Sequence, residues 1–354
     1  MRLTGGDATF SGAYRRRPAR RIVGRNRLRA APRWDRVLNA HEMSHRRRAL
    51  QEAERRLFDR FGIAVESRDV RLADPPLRVR VLESGTGPPL ILIHGSGMTA
   101  ATWAPLMPHL SGRRLLALDL PGFGLSDPYD YSGRPLRSHA VAQLRSLLDA
   151  LELEQADIVG TSLGGMWALN LAAAHPRRVR AVVSIGAPAV ALPGTRRDPM
   201  FTMITTPGIG GLAVRLRPPT TGSARRGLVR ALGKAAVART PDEWFEVTRL
   251  SMGVPGWSRA MRSHMCLALR VGRPRPENLF GDEELRRLET PVLFIWGDRD
   301  RYGGSEMGRR AAELIPGARL EVVPGNHAPF LDDPERCAAL IEGFVEAPRA
   351  ARSS

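Results

Sequence analysis

The stretch Val159-Gly160-Thr161-Ser162-Leu163-Gly164-Gly165 decides how this chain folds. Ala156 to Gly160 reads as a short buried strand and Leu163 to Ala174 as a helix, with G-x-S-x-G at their junction. A sharp strand-to-helix turn needs glycine on both sides of the serine, because a side chain there clashes with neighbouring backbone. The same turn exposes the serine hydroxyl. A G-x-S-x-G match arises by chance about 0.2 times in a chain of this length and composition, so its place at the junction carries the weight.

Outward from that turn the rhythm is strand and helix in alternation. Upstream stand a buried strand at Leu90 to His94, a helix from Ala101 to Leu110, a strand at Arg114 to Asp119 and a helix at Leu136 to Leu151. Downstream a strand follows at Val179 to Ile185. Parallel sheet with helices on both faces is the architecture this implies. Before it, Arg68 to Leu72 and Leu77 to Leu82 flank Asp74-Pro75-Pro76 and read as an antiparallel hairpin. Alternation stops between residues 188 and 289, where Pro, Gly, Arg and amphipathic helical stretches replace the strand signal. It resumes with strands at Val292 to Trp296 and Arg319 to Val323 and helices near Glu306 to Ile315 and Pro334 to Phe344. The expected organisation is a basic disordered extension at 1–48, an amphipathic helix at 49–66 and a core in two blocks, 67–187 and 290–346. A helical cap at 188–289 separates the blocks, and 347–354 form a disordered tail.

The 354 residues are 43% hydrophobic and 25% charged, an ordinary soluble composition with no run of about 18 apolar residues to span a membrane. Cys266 and Cys337 lie 71 positions apart, which suggests neither a disulfide framework nor a zinc site, and a reducing cytoplasm is the expected compartment. The net charge of +18 invites a nucleic-acid reading, yet Lys234 is the sole lysine among 54 basic residues, a bias that fits codon usage better than phosphate contacts. Residues 1–66 hold 17 Arg against 7 acids, so the rest of the chain is only mildly basic. Residues 1–33 show no apolar periodicity and read as a solvated tail, the one segment able to touch an anionic surface or nucleic acid. Its twin arginines precede no apolar run of an export signal, and Met43 opens a segment better suited to a globular start.

A serine hydroxyl attacks a carbonyl only when an imidazole takes its proton and a carboxylate orients that imidazole. Asp298 and Asp300 follow the strand ending at Trp296, and His327 follows the strand ending at Val323. Both places lie at the carboxyl edge of the sheet, where ligands of open α/β sheets bind. After the strand Leu90 to His94, the small residues Gly95-Ser96-Gly97 let backbone N–H groups face an oxyanion, and the amides of Ser96 and Leu163 are the expected pair. His94 reads as a brace for that loop. Trp103 and Trp167, a few residues past two of these loops, are the pocket candidates, with Met200 to Ile204 and Trp244 to Met252 as cap wall. A competing reading takes Gly95-x-Gly97-x-x-Ala100 with Asp119 as a dinucleotide fingerprint, but such an enzyme has no use for G-x-S-x-G with a downstream Asp and His.

The chain resembles the α/β-hydrolase superfamily over roughly Val70 to Val345, through LIHGSGM (Leu92 to Met98), LDLPGFGLSD (Leu118 to Asp127), VGTSLGG, IWGDRD (Ile295 to Asp300) and GNHAPFLDDPE (Gly325 to Glu335). The resemblance implies an α/β-hydrolase fold, with Ser162 as nucleophile, His327 as base and Asp300 as acid; Asp298 is the fallback acid and Asp198 a third candidate. It implies no metal and no cofactor. Ser162 separates the chain from relatives with an aspartate nucleophile, the epoxide hydrolases and haloalkane dehalogenases. The expected activity is hydrolysis of a small or medium apolar ester through an acyl-enzyme. The alternative is a carbon–carbon bond hydrolase, whose histidine is commonly followed by Trp where Ala328 stands here; a non-catalytic ligand-binding member is a further alternative.

Overall fold

A computed structural model describes residues 40–215 and 220–347. The expected tails at 1–39 and 348–354 lie outside the described residues. The chain enters through helix α1 (Ala40–Arg60) and a hairpin of β1 (Glu66–Ala73) and β2 (Pro76–Ser84). Strands β3 (Pro89–Ile93) and β4 (Arg114–Leu118), helix α2 (Leu136–Ala150), β5 (Ala156–Thr161), α3 (Leu163–Ala174) and β6 (Val179–Ile185) follow. The interrupting segment carries α4 (Pro199–Thr205), α5 (Gly210–Ala213), α6 (Thr221–Arg239), α7 (Asp242–Ser251), α8 (Trp257–Ala268), a two-residue ladder of β7 (Leu269–Arg270) with β8 (Arg273–Pro274), and α9 (Asp282–Arg286). The core closes with β9 (Val292–Gly297), α10 (Ser305–Leu314), β10 (Arg319–Val323) and α11 (Pro334–Glu346).

Eight strands form one sheet in the order β1-β2-β4-β3-β5-β6-β9-β10. The pairings β1–β2 and β2–β4 are antiparallel and the remainder parallel. The central strands are apolar throughout, β3 as PLILI and β9 as VLFIWG, because helices cover both their faces. The chain leaves β3 toward β4 on one side and returns to β5 on the other, which opens a crevice beyond the ends of β3 and β5. Ile93 pairs with Gly160 at that crevice, so the loop His94–Gly97 and the turn at Ser162 emerge side by side.

Two elements differ from the sequence reading. The helix expected at Ala101 to Leu110 is instead two short 3-10 turns, Ala100–Trp103 and Met107–His109, because Pro105 and Pro108 deny an α-helix its hydrogen bonds and its space. Helix α1 begins at Ala40, so the last part of the expected disordered extension is helical. Of the apolar residues that the spacing places on one face, Leu50, Leu57 and Phe58 are buried with Ala53 beside them, while Phe61 falls past the helix end and is half-buried. Arg46 and Arg47 fall in the stretch expected to be disordered, yet Arg46 donates to the Gly253 carbonyl at 2.9 Å and Arg47 to that of Leu125 at 3.0 Å. Partners distant in sequence extend the helix. Two turns further on, Glu54 reaches the buried Arg80 of β2 at 2.6 Å, and Asp119 closes on the same guanidinium at 2.6 Å.

Candidate active site

Ser162 sits at φ +52°, ψ −112°, a conformation that side chains rarely adopt, and it is held there by tight flanks. A Cβ at Gly160 would stand 2.2 Å from the Gly164 carbonyl carbon, and one at Gly164 would stand 2.0 Å from the Ile93 oxygen. Both glycines of G-x-S-x-G are therefore required by close backbone approach, and the strained turn leaves Ser162 facing a cavity that His327, Ser96 and Leu163 also line.

Asp300 follows β9, and its Oδ2 lies 2.8 Å from His327 Nδ1. The same oxygen accepts from the Ala187 amide at 2.8 Å, and Oδ1 accepts from the Tyr302 amide at 2.9 Å. Burial would raise this carboxyl, but His327 and the two amides outweigh it and hold Asp300 below the usual carboxylate range. His327 Nδ1 is thus the donor to a carboxylate, which leaves Nε2 free to accept a proton. Tyr302 packs edge-on against the imidazole with centroids 4.5 Å apart, and its own burial pushes the phenol upward, so it stays neutral.

Asp298 points elsewhere: its Oδ1 accepts from the Gly325 amide at 2.9 Å and it pairs with Arg299 in solvent. Asp198 caps α4 through the Met200 amide at 2.8 Å and pairs with Arg301 at 3.1 Å. Neither approaches the imidazole as Asp300 does. His94 braces its loop: its Nε2 accepts from the Leu120 amide at 3.0 Å and its Nδ1 donates to the Gly95 carbonyl at 2.7 Å. Asp119 is fully engaged by the Ala100 and Leu125 amides and by Arg80. Nothing of it remains for a nucleotide ribose, and the glycines before it lead into a 3-10 turn rather than a helix N-terminus. Among the described residues no group of three His, Cys, Asp or Glu side chains converges to hold a metal.

The pocket expectations need correction. Trp103 is fully buried and stacks on Phe330 at 4.7 Å, while Trp167 is fully buried and donates to Gln143 at 3.4 Å; neither lines the cavity. Closeness in sequence to a loop does not set the direction of a side chain, and both indoles point into core. From Met200 to Ile204 only Phe201 reaches the cavity, and from Trp244 to Met252 none does. Trp244 instead donates to the Thr102 carbonyl at 3.2 Å, and α7 lies on α1. The wall comes from α8 and the ladder after it, with His264, Met265, Ala268 and Leu269, and from Tyr302 two residues beyond Asp300. The signal for α8 was present: Trp257, Ala260, Met261, His264, Met265 and Ala268 recur at helical spacing on one buried face.

A serine elbow at the switch point of such a sheet is the architecture of the α/β hydrolases, and the chain belongs to that family, whose model matches residues 90–340. It is a hydrolase by family. More particularly, it is 48% identical over 291 residues to a 2-hydroxymuconate semialdehyde hydrolase of Pseudomonas sp. strain CF600, covering 78% of this chain and 94% of that relative. It is 31% identical over 255 residues to a 2-hydroxy-6-oxononadienedioate/2-hydroxy-6-oxononatrienedioate hydrolase of Paraburkholderia phymatum, covering 70% and 83%. Among solved structures a carboxylesterase from Bacillus subtilis superposes with a TM-score of 0.68 at 22% identity, covering 85% of this chain and 98% of that one, a likeness of fold alone. No helix among the described residues is long and apolar enough to cross a membrane.

These relatives overturn the ester expectation. The compounds in their names are unsaturated oxo acids without an ester linkage, so the bond open to hydrolysis in them is carbon–carbon. The Ala328 argument misled because the nature of the leaving group, not one neighbour of the histidine, decides which bond can break.

Proposed function

We propose that this chain hydrolyses a carbon–carbon bond beside the terminal carbonyl of a dienol acid of the 2-hydroxymuconate semialdehyde type. The observation that carries the reading is the 48% identity spanning nearly all of the relative of that name. The site supports it. Ser162, His327 and Asp300 are proposed as nucleophile, base and orienting acid, with the amides of Ser96 and Leu163 receiving the oxyanion. Arg196 on the cavity wall offers the positive charge that a dienoate carboxylate calls for.

Carbon is a poor leaving group unless its electron pair is delocalised. Moving the enol proton to C5 turns the substrate into its keto tautomer, in which C5 is saturated and adjoins the C3=C4 double bond that is conjugated to the C2 carbonyl. Ser162 Oγ, its proton taken by His327, then attacks the aldehyde carbon C6. The C5–C6 bond breaks and its pair forms C4=C5, displacing the C3=C4 pair to C2=C3 and the carbonyl pair to the oxygen on C2, which takes the proton from His327 to give a dienol. Water, activated by His327, splits the formyl-serine into formate and free Ser162. The sum adds one water across C5–C6.

The test mixes purified protein with 2-hydroxymuconate semialdehyde and follows both the conjugated chromophore and free formate. Loss of the chromophore with one formate released per substrate is expected. An unchanged chromophore with folded protein would overturn the assignment.

A further inference from the structure

The cavity holds a second histidine that the reaction above does not use. His264, on α8, is fully buried, and its ring lies between the edges of Phe123 at 5.5 Å and Tyr131 at 5.8 Å. Its Nδ1 stands 2.8 Å from the Ala260 carbonyl, one turn back on the same helix, and its Nε2 stands 3.2 Å from Ser96 Oγ. A carbonyl can only accept, so Nδ1 carries the ring hydrogen. Burial, with His94 nearby, holds the imidazole down to about 4, and it is therefore neutral near pH 7. Nε2 then offers a bare lone pair, and the contact with Ser96 forms only if the serine hydroxyl donates.

This fixes the polarity of Ser96. Its one hydrogen is spent on His264, and its oxygen presents lone pairs to the cavity that it lines. Such an oxygen repels a carboxylate or an oxyanion and welcomes a donor. The oxyanion-binding duty of the loop accordingly falls on the Ser96 amide and not on its hydroxyl. We propose that His264 is a positioning residue that locks the Ser96 hydroxyl as an acceptor for the C2 enol hydroxyl of the dienol acid as it binds, a contact made before the enol proton leaves for C5 and therefore read in KM. The inference rests on the reading under Proposed function. It gives the segment between β6 and β9 a direct part in substrate selection, because the group that sets the polarity of a core loop arrives from α8.

Two near-isosteres separate this role from a merely structural one. In H264N the new side-chain amide nitrogen replaces Nδ1 and keeps the helix bond but cannot reach Ser96; H264Q places an amide oxygen where Nε2 stood and keeps the acceptor. Steady-state kinetics on 2-hydroxymuconate semialdehyde would compare wild type, H264N, H264Q, S96A and S96A/H264N. A neutral hydrogen bond contributes about 1 kcal/mol, so S96A and H264N are expected to raise KM by about fivefold with kcat within about threefold. H264Q is expected to stay near the wild-type KM, and the double variant to be no worse than S96A alone. Multiplying losses in the double variant, or an impaired H264Q beside an unimpaired H264N, would overturn the assignment. S96A leaves α8 untouched, so an unchanged KM for it overturns the proposal even if every His264 variant fails to fold. No turnover by wild type would instead remove the proposed function, and this inference with it.

Discussion

Ser162 and His327 reach the cavity from strand ends, with Asp300 behind the imidazole, whereas Phe201, His264 and Met265 reach it from helices of the segment between β6 and β9. The first group forms a floor in which backbone does the placing: Gly160 and Gly164 squeeze the serine turn, and amides of Ala187 and Tyr302 hold Asp300. The second forms a roof in which one helical face is pressed against the core and its direction depends on every other packed element. A floor built this way suits chemistry that tolerates little displacement, and a roof built from adaptable helix contacts suits choice of substrate. Damage to the floor should therefore remove turnover of any substrate, while damage to the roof should redistribute preference.

The largest expected effect lies in the floor. Ser162→Ala should lower kcat on the order of 10⁴-fold with the melting temperature unchanged, since a triad of the kind proposed acts as a unit and the methyl group fits the same turn. Kinetics beside a thermal melt would check it, and a variant that keeps a tenth of the wild-type kcat would remove Ser162 from the nucleophile's role.

The same division explains what could be read in the sequence. Glycines beside Ser162, and acids and a histidine just after strands β9 and β10, are local signals, because close backbone approach and strand ends are encoded within a few residues. Asp300 could be separated from Asp298 only by resemblance, since both follow the same strand and their different partners lie on other loops. The roof failed for the opposite reason. The apolar periodicity of α7 and α8 was visible, but which of them covers the cavity is settled by α1, which occupies α7. The start of α1 was hidden as well, because Arg46 and Arg47 find their acceptors at Gly253 and Leu125, far along the chain. The substrate class was least legible, because a serine and a histidine so placed can serve an ester and an aldehyde alike.

Helix α1 lines neither wall of the cavity but is tied both to the sheet that carries the floor, through Arg80 of β2, and to the segment that carries the roof, through Glu246 of α7, and it sharpens the contrast. Toward the floor, Glu54 makes a two-bond clasp on Arg80, and both side chains are at most 4% exposed. Toward the roof, Arg56 meets Glu246 at 3.0 Å with the two side chains 41% and 30% exposed. Removing the buried cation strands the carboxylates of Glu54 and Asp119 out of water, so Arg80→Ala should cost roughly 3–5 kcal/mol of folding stability. An exposed pair is screened, and Arg56→Ala should cost about 1 kcal/mol or less. Urea midpoints of the two variants would decide; equal losses would mean that α1 does not anchor the two regions differently.

Acid provides the smallest test, and it acts through histidines of both regions. His94 beside the floor and His264 in the roof are each held below the ordinary value of 6.5, in both cases chiefly by burial. Below pH 6.5 the unfolded chain takes up protons at these positions while the folded chain refuses them, so stability rises with pH in this window and falls as the solution is acidified. For His264 the window runs from 6.5 down to about 4, and acidifying from pH 7.5 to 5.0 should remove roughly 2 kcal/mol on its account. Asp300 does not offset this, because its stabilising contribution is present above its ordinary value of 3.8 and is lost only below that. H264Q carries no titrating ring, so its urea midpoint should fall less over the same interval than that of the wild type. Parallel slopes for the two proteins would show that His264 charges freely in the folded state, and with that the fixed polarity of Ser96 would lose its physical basis.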